Sequence, residues 1–174
     1  ERLLVDPLKD QQIAIHPNTV TSATKLTGGN PYYMTLVGKH LIDRLNQESQ
    51  KQQVLNEDLH LVVDQIIEPG ANQYFSFYRS ELQDDEVSIL EGFVELTTRS
   101  NQTVVQLKKI ANWLKLPDTV IRQHLERLRN GLILEEHHPK ESNRTSSNPS
   151  YSFKIDLLRI WLARNHWFFS LSTK

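Results

Sequence analysis

The chain has 174 residues, no cysteine and a net charge of −1. With 38% hydrophobic and 24% charged residues it excludes a disordered polar chain and fits one large globular domain or two small ones. The lack of cysteine excludes disulfides, thiol nucleophiles and thiolate zinc sites. No apolar run approaches the ~18 residues needed to cross a bilayer, so a cytoplasmic protein with no membrane partner is expected.

Glu1 to Ile15 reads as an extended piece, Leu3-Leu4-Val5, followed by Asp6-Pro7, and as the tail of a preceding domain (1–15). A short helix then opens at Pro17-Asn18 and carries Val20, Ala23 and Leu26 on its apolar side. Gly28-Gly29 ends it, because glycine enters the left-handed conformation that closes helices. Asn30 suits the next N-cap and Pro31 the first helical position, opening a helix to about Gln47 with Leu36, Val37, His40, Leu41 and Leu45 at helical spacing. Gln47–Gln53 is a polar loop. Asn56 caps a helix whose apolar face is Leu59, Val62, Val63, Ile66 and Ile67, and Glu68-Pro69-Gly70 stops it. These helices predict a small bundle over 16–70.

A connector helix rich in aromatics is expected over 71–82 and a second domain over 83–174. Asp84-Asp85-Glu86 suit a helix N-terminus, followed by the stripe Val87, Leu90, Phe93, Val94 and Leu96 or Thr97. Thr103 caps a helix with Val104, Leu107, Ile110, Ala111 and Leu114. The turn Lys115-Leu116-Pro117 leads to Asp118, N-cap of a helix with Val120, Ile121, Leu125 and Leu128, which Asn130-Gly131 closes. Leu132–Leu134 reads as a strand, 137–150 as a polar wing, Tyr151–Ile155 as the returning strand, and Leu157 to about Asn165 as a last helix capped by Asp156. The predicted fold is therefore mainly α: a helical bundle followed by a winged helix-turn-helix with one β-hairpin.

Catalytic signatures are missing. There is no P-loop, HExxH, GxSxG or EF-hand loop, and His137-His138, adjacent on a strand, point to opposite faces. Charge is uneven: residues 1–83 carry 7 basic against 10 acidic side chains, and residues 84–174 carry 13 against 11. Between Asn101 and Leu134 there are 6 basic residues (Lys108, Lys109, Lys115, Arg122, Arg127, Arg129) and 2 acidic ones. Lys108, Lys109, Arg122, Gln123, Arg127 and Arg129, with Lys140 and Arg144 in the wing, are the candidate DNA contacts, Arg122 and Arg127 foremost. The competing reading is a solvated helix on a packing module. Trp113 and Trp161 fall on apolar faces and read as core. The tail Trp167-Phe168-Phe169-Ser170-Leu171 reads as packing on the chain's own helices.

The words "TGGNPYYMTLVGKHLIDRL" resemble the segment that opens the lid subdomain of STAND and archaeal-type AAA ATPases, where a Gly-x-Pro motif lies against nucleotide. "LKKIANWLKLPDTVIRQHLERLRNGLI" is similar to the pattern of the winged helix that follows that lid, and "YSFKIDLLRIWL" to the strand and helix that end it. The resemblance implies a non-catalytic regulatory fragment, lid plus winged helix, coupling nucleotide state to a partner or DNA. Gly29, Asn30 and Pro31 would touch nucleotide there. It implies ATP or ADP with Mg²⁺ in the parent protein, no cofactor in this fragment, and a preceding P-loop domain as partner, with self-association as a further option. One departure stands out: where many relatives place the histidine of a Met-His-Asp motif, this chain has Ile155, preceded by Lys154, and an aliphatic side chain cannot donate to phosphate. The alternative reading is a DNA-binding winged-helix transcription regulator.

Overall fold

The structure, a computed structural model, describes residues 2–47, 52–68, 75–100, 102–138 and 148–165. It is mainly helical with a few short strands. The described residues fall into two compact units: those within Glu1–Asn72 and Ile155–Leu157 form one, and those within Gln73–Lys154 and Leu158–Lys174 form the other.

The first unit contains α1 (Arg2–Asp10), β1 (Ala14–Ile15), α2 (Pro17–Thr27), α3 (Pro31–Gln47), β2 (Gln53–Val54) and α4 (Asn56–Ile67). The segment expected to be extended is thus the helix α1, packed on α3. Leu4 and Leu8, one turn apart, are fully buried, and that burial outweighs the backbone hydrogen bond lost at Pro7 inside the helix. Gly38 of α3 lies under Leu4, with room for only an ordinary methyl contact at 3.5 Å. The expected polar loop Gln47–Gln53 runs into β2 at Gln53, and β2 pairs in parallel with β1 (Ala14 with Gln53, Ile15 with Val54). On α2 the buried face is Thr19, Ala23 and Thr27 rather than Val20 and Leu26. Burying threonine costs little here, because the Thr27 hydroxyl donates to the Ala23 carbonyl at 2.8 Å. Leu59, Val62, Val63, Ile66 and Ile67 of α4 form the expected buried stripe.

The second unit holds α5 (Ser76–Glu81), α6 (Asp84–Ser100), β3 (Val104–Gln106), α7 (Leu107–Leu114), α8 (Asp118–Asn130), β4 (Leu134–His137) and β5 (Ser150–Phe153); α9 (Asp156–Asn165) follows. The sheet has three strands in the order β3-β5-β4, both pairings antiparallel, so a single hairpin undercounts it. Val104 and Val105 are strand, not helix; β-branched side chains suit the pleat, and α7 starts only at Leu107. Thr103 therefore caps nothing. Asn56 and Asp118 are likewise first helical residues, behind Leu55 and Pro117 at the cap positions. Both strands of the expected hairpin are shifted: β4 starts at Leu134 and β5 ends at Phe153, leaving Ile155 buried in the bend before α9.

The core of this unit joins Phe93, which meets Phe153 edge-on at 6.2 Å, to Ile110, Ile121, Leu125 and Leu134. Trp161 is buried as expected and stacks on Phe75 with ring centres 5.0 Å apart. Trp113 is not core: it is 41% exposed and lies flat over Gly92 of α6, where a Cβ would approach its ring to 2.7 Å. Val120, expected on the buried stripe of α8, is 36% exposed. The aromatic tail from Trp167 onward lies outside the described residues.

The end of α8 departs from the glycine rule. Gly131 has φ −74°, and the left-handed residue is Leu132, at φ 59° and 58% exposed. A left-handed residue with a Cβ costs roughly 1–2 kcal/mol, while a glycine costs about 0.5–1 kcal/mol in unfolded-state entropy. Leu132→Gly should therefore stabilise the protein by about 0.5–1 kcal/mol in urea denaturation, with little lost contact to offset it. A destabilisation would mean that the Leu132 side chain carries packing its exposure hides.

Candidate functional site

Two surfaces carry the residues singled out above, one in each unit. In the first, Gly28 (φ 59°) and Gly29 (φ 68°) both adopt left-handed backbone. Gly29 N–H donates to the Thr24 carbonyl at 3.1 Å and Asn30 N–H to the Thr27 carbonyl at 3.0 Å, which closes α2. The Asn30 side chain accepts from Tyr32 N–H at 2.9 Å and its carbonyl from Met34 N–H at 2.9 Å, which opens α3. Sequence chemistry anticipates this turn closely. Nothing lies within 4 Å of a Cβ built on Gly29, so the glycine is there for its backbone angle and the space above it is open.

What the turn can offer a ligand follows from this accounting. The amides of Gly28, Gly29, Asn30 and Tyr32 are all committed within the turn, and Pro31 has none. These four amides are therefore not free to cradle phosphate. The turn presents apolar and aromatic surface: exposed Pro31 and the ring of Tyr32, 55% exposed and held edge-on to buried Tyr33 at 5.1 Å. Tyr32 belongs to the site although sequence reasoning passed over it.

In the second unit, α8 buries Ile121, Leu125 and Leu128. The helical period places Thr119, Gln123, Glu126 and Asn130 directly opposite, all exposed. Of the candidate DNA contacts, Lys108, Lys109, Arg122 and Gln123 are exposed, and among the described residues the three cations form no ion pair. Arg127 is engaged: its Nε lies 3.0 Å from Glu86 Oε1. Arg129 contacts Glu136 at 2.7 Å and Glu126 at 3.6 Å. Lys140 and Arg144 lie outside the described residues. Two of the six basic residues are thus held by carboxylates, and a glutamate stands at the middle of the outward face. The +4 stretch is not a uniformly cationic surface.

Pattern reading passes over Asp58, and it sees Glu86 only as one of three acidic residues at a helix N-terminus, not as a buried, paired carboxylate. Each sits at the third position of its helix, with side chains 3% and 1% exposed. Glu86 accepts from Gln83 N–H at 3.0 Å, and Asp58 from Leu55 N–H at 2.9 Å. An arginine from another helix answers each: Arg127 for Glu86, and Arg44, 3.5 Å away, for Asp58. A carboxylate three residues after the cap is half of a capping box and could have been recognised as such; Leu55 has no polar group to complete the other half.

The sheet carries two polar clusters. Tyr151, 3% exposed, donates to Glu136 at 3.2 Å. Burial, then the Glu136 charge and hydrogen bond, push its hydroxyl up to about 12, with Arg122 and Arg129 pulling the other way. The folded state therefore keeps this proton where the unfolded chain releases it. Stability should fall as pH rises from 10 towards 12, and an ultraviolet titration should show one tyrosine ionising last; Tyr151→Phe should abolish that late step. On the opposite face, Ser152 Oγ lies 2.8 Å from His137 Nε2 and donates to Glu135 at 3.0 Å. The carboxylate meets the serine rather than His137 Nδ1, and Ser152 is 6% exposed, so the trio does not form a base-activated nucleophile. Among the described residues no group of three His, Asp or Glu is placed to hold a metal ion, and no helix is long and apolar enough to cross a membrane.

Compared with known proteins, the chain matches no family model, no curated sequence and no solved structure.

Proposed function

We propose that this chain is the non-catalytic lid and winged-helix part of a STAND or AAA-like ATPase switch, working in the cytoplasm with a P-loop domain as its partner. The observation that carries the reading is the Gly28–Tyr32 turn: a surface helix–helix corner with the amides of Gly28, Gly29, Asn30 and Tyr32 bonded within it and Pro31 and Tyr32 exposed. Such a corner suits contact with a nucleotide base, leaving phosphate and Mg²⁺ to the partner domain. The order α6, β3, α7, tight turn, α8, β4, β5 is that of a winged helix, which supports the same reading. Nucleotide held between lid and P-loop domain would supply the differential contacts that move such a switch.

The chain by itself should turn over no ATP and bind it weakly, because it lacks the P-loop amides, lysine and Mg²⁺-holding hydroxyl. Turnover in a clean preparation, or micromolar ATP affinity by calorimetry, contradicts the proposal.

A DNA-binding module is the second reading, favoured by exposed Lys108, Lys109 and Arg122. Glu126 on the outward face and the engagement of Arg127 and Arg129 weigh against it. Fluorescence anisotropy with duplex DNA at ~50 mM salt discriminates, since phosphate-driven binding is strongest there. No binding there leaves the winged helix as a packing module. If DNA does bind, Arg122→Ala should weaken it, whereas Arg127→Ala should act mainly on stability.

A further inference from the structure

Among the described residues, the strand β3 has one paired and one open edge. It is the outer strand of its sheet, and Leu107 N–H donates to the Pro149 carbonyl at 3.0 Å. In an antiparallel ladder that bond fixes the alternation: Leu107 and Val105 turn their main-chain groups towards β5, and Val104 turns its N–H and C=O away from it. Val104 is 41% exposed, and Gln102, Thr103 and Gln106 around it are exposed too. The edge is short, but no charged side chain on it and no proline blocks pairing, the usual protections of an open edge.

Two adjoining recesses lie along this edge and share Gln102, Val104 and Lys109 in their walls. A crevice of about 140 Å³ is walled by Leu96, Val105, Arg99 and Lys109. A wider recess of about 520 Å³ is lined by Gln102, Thr103, Gln106, Lys109 and Ser150. Val104 borders both. Among the described residues neither is lined by a carboxylate, and Lys109 reaches into both. Arg99 is paired with Glu95, so the cationic character comes mainly from Lys109, with exposed Lys108 beside it.

We propose that the β3 edge is a docking site for an extended, acidic peptide segment of a partner protein, which adds a fourth strand beside Val104. A strand laid there pairs with the outward main-chain groups of Val104 and sets its side chains against the recess walls. Its apolar side chains meet Leu96 and Val105, and its carboxylates meet Lys109. The site stands on the second unit alone and does not depend on nucleotide.

The test uses the full chain and a fluorescein-labelled octapeptide of alternating valine and glutamate. Amide shifts in a ¹⁵N titration should concentrate on Gln102–Gln106 and Lys109, with the Val104 amide gaining protection from exchange. Lys109→Glu, a surface substitution that leaves the fold intact, should weaken anisotropy-detected binding about tenfold, and exposed Lys39→Glu should not. A peptide of alternating valine and lysine should bind at least about tenfold more weakly than the glutamate peptide. The proposal is overturned if the shifts fall elsewhere, if both peptides bind alike, or if no binding is seen at about 1 mM. Concentration-dependent broadening of Gln102–Gln106 without peptide would give the edge to a second copy of the chain, and competition by duplex DNA would give it to nucleic acid; either also overturns it.

Discussion

Replacing Asp58 by alanine is expected to destabilise the first unit by about 3 kcal/mol, from two losses at once. The Leu55 amide loses its acceptor at the start of α4, an effect of about 1 kcal/mol for a cap. Arg44, whose side chain is only 22% exposed, loses the carboxylate that neutralises it. Breaking a buried pair costs about 3–5 kcal/mol when the remaining charge stays buried, and Arg44 can recover part of that by turning to water. For a unit of this size the melting temperature should fall by more than about 10 °C. Asp58→Asn keeps an acceptor for Leu55 and removes only the charge, so it should cost clearly less. Equal losses for the two variants would mean that the ion pair, not the cap, carries the effect.

Glu86→Ala should cost about 2 kcal/mol in the second unit, less than Asp58 because Arg127 is 54% exposed and much of its pairing is screened by water. The Gln83 amide at the start of α6 loses its acceptor in the same step. The informative comparison is with Arg127→Ala, which leaves the buried Glu86 charge without its guanidinium. The double variant should then cost less than the two single ones summed, by about 1 kcal/mol, in urea denaturation followed by tryptophan fluorescence. Strict additivity would remove Arg127 from the list of structural residues and return it to the surface available for a partner.

Local chemistry was readable wherever a residue's role depends on near neighbours. The Gly28-Gly29-Asn30-Pro31 corner rests on backbone angles and on a cap spanning two residues, and it has the geometry its sequence implies. The α4 stripe from Leu59 to Ile67 is a plain helical repeat. The failures share a different cause. The helix α1 depends on Leu4 and Leu8 being covered by α3, and a nine-residue helix interrupted by Pro7 has no local signal strong enough to announce that. Val104–Gln106 become strand because β5 pairs with them from beyond α8. Leu132 rather than Gly131 takes the left-handed angle. The three bonds of that corner, ending with Ile133 N–H on the Leu128 carbonyl, close one residue later than the glycine suggests. Among the site residues, the basic stretch was legible as charge, but its partial neutralisation was not: Glu86 is far from Arg127 in sequence, and Glu136, seven residues after Arg129, meets it only through the turn from α8 into β4.

The central claim is that the chain meets nucleotide through the α2–α3 corner and supplies only half of the site. The most direct measurement is a ¹⁵N amide titration of the full chain with Mg²⁺-ADP to ~10 mM, the range in which a millimolar half-site is visible. The account predicts small, fast-exchanging shifts confined to Gly28, Gly29, Asn30, Tyr32 and Tyr33, which Pro31→Ala diminishes without unfolding the protein. Shifts centred on α8 or the sheet, or none at the corner at saturating nucleotide, would contradict it.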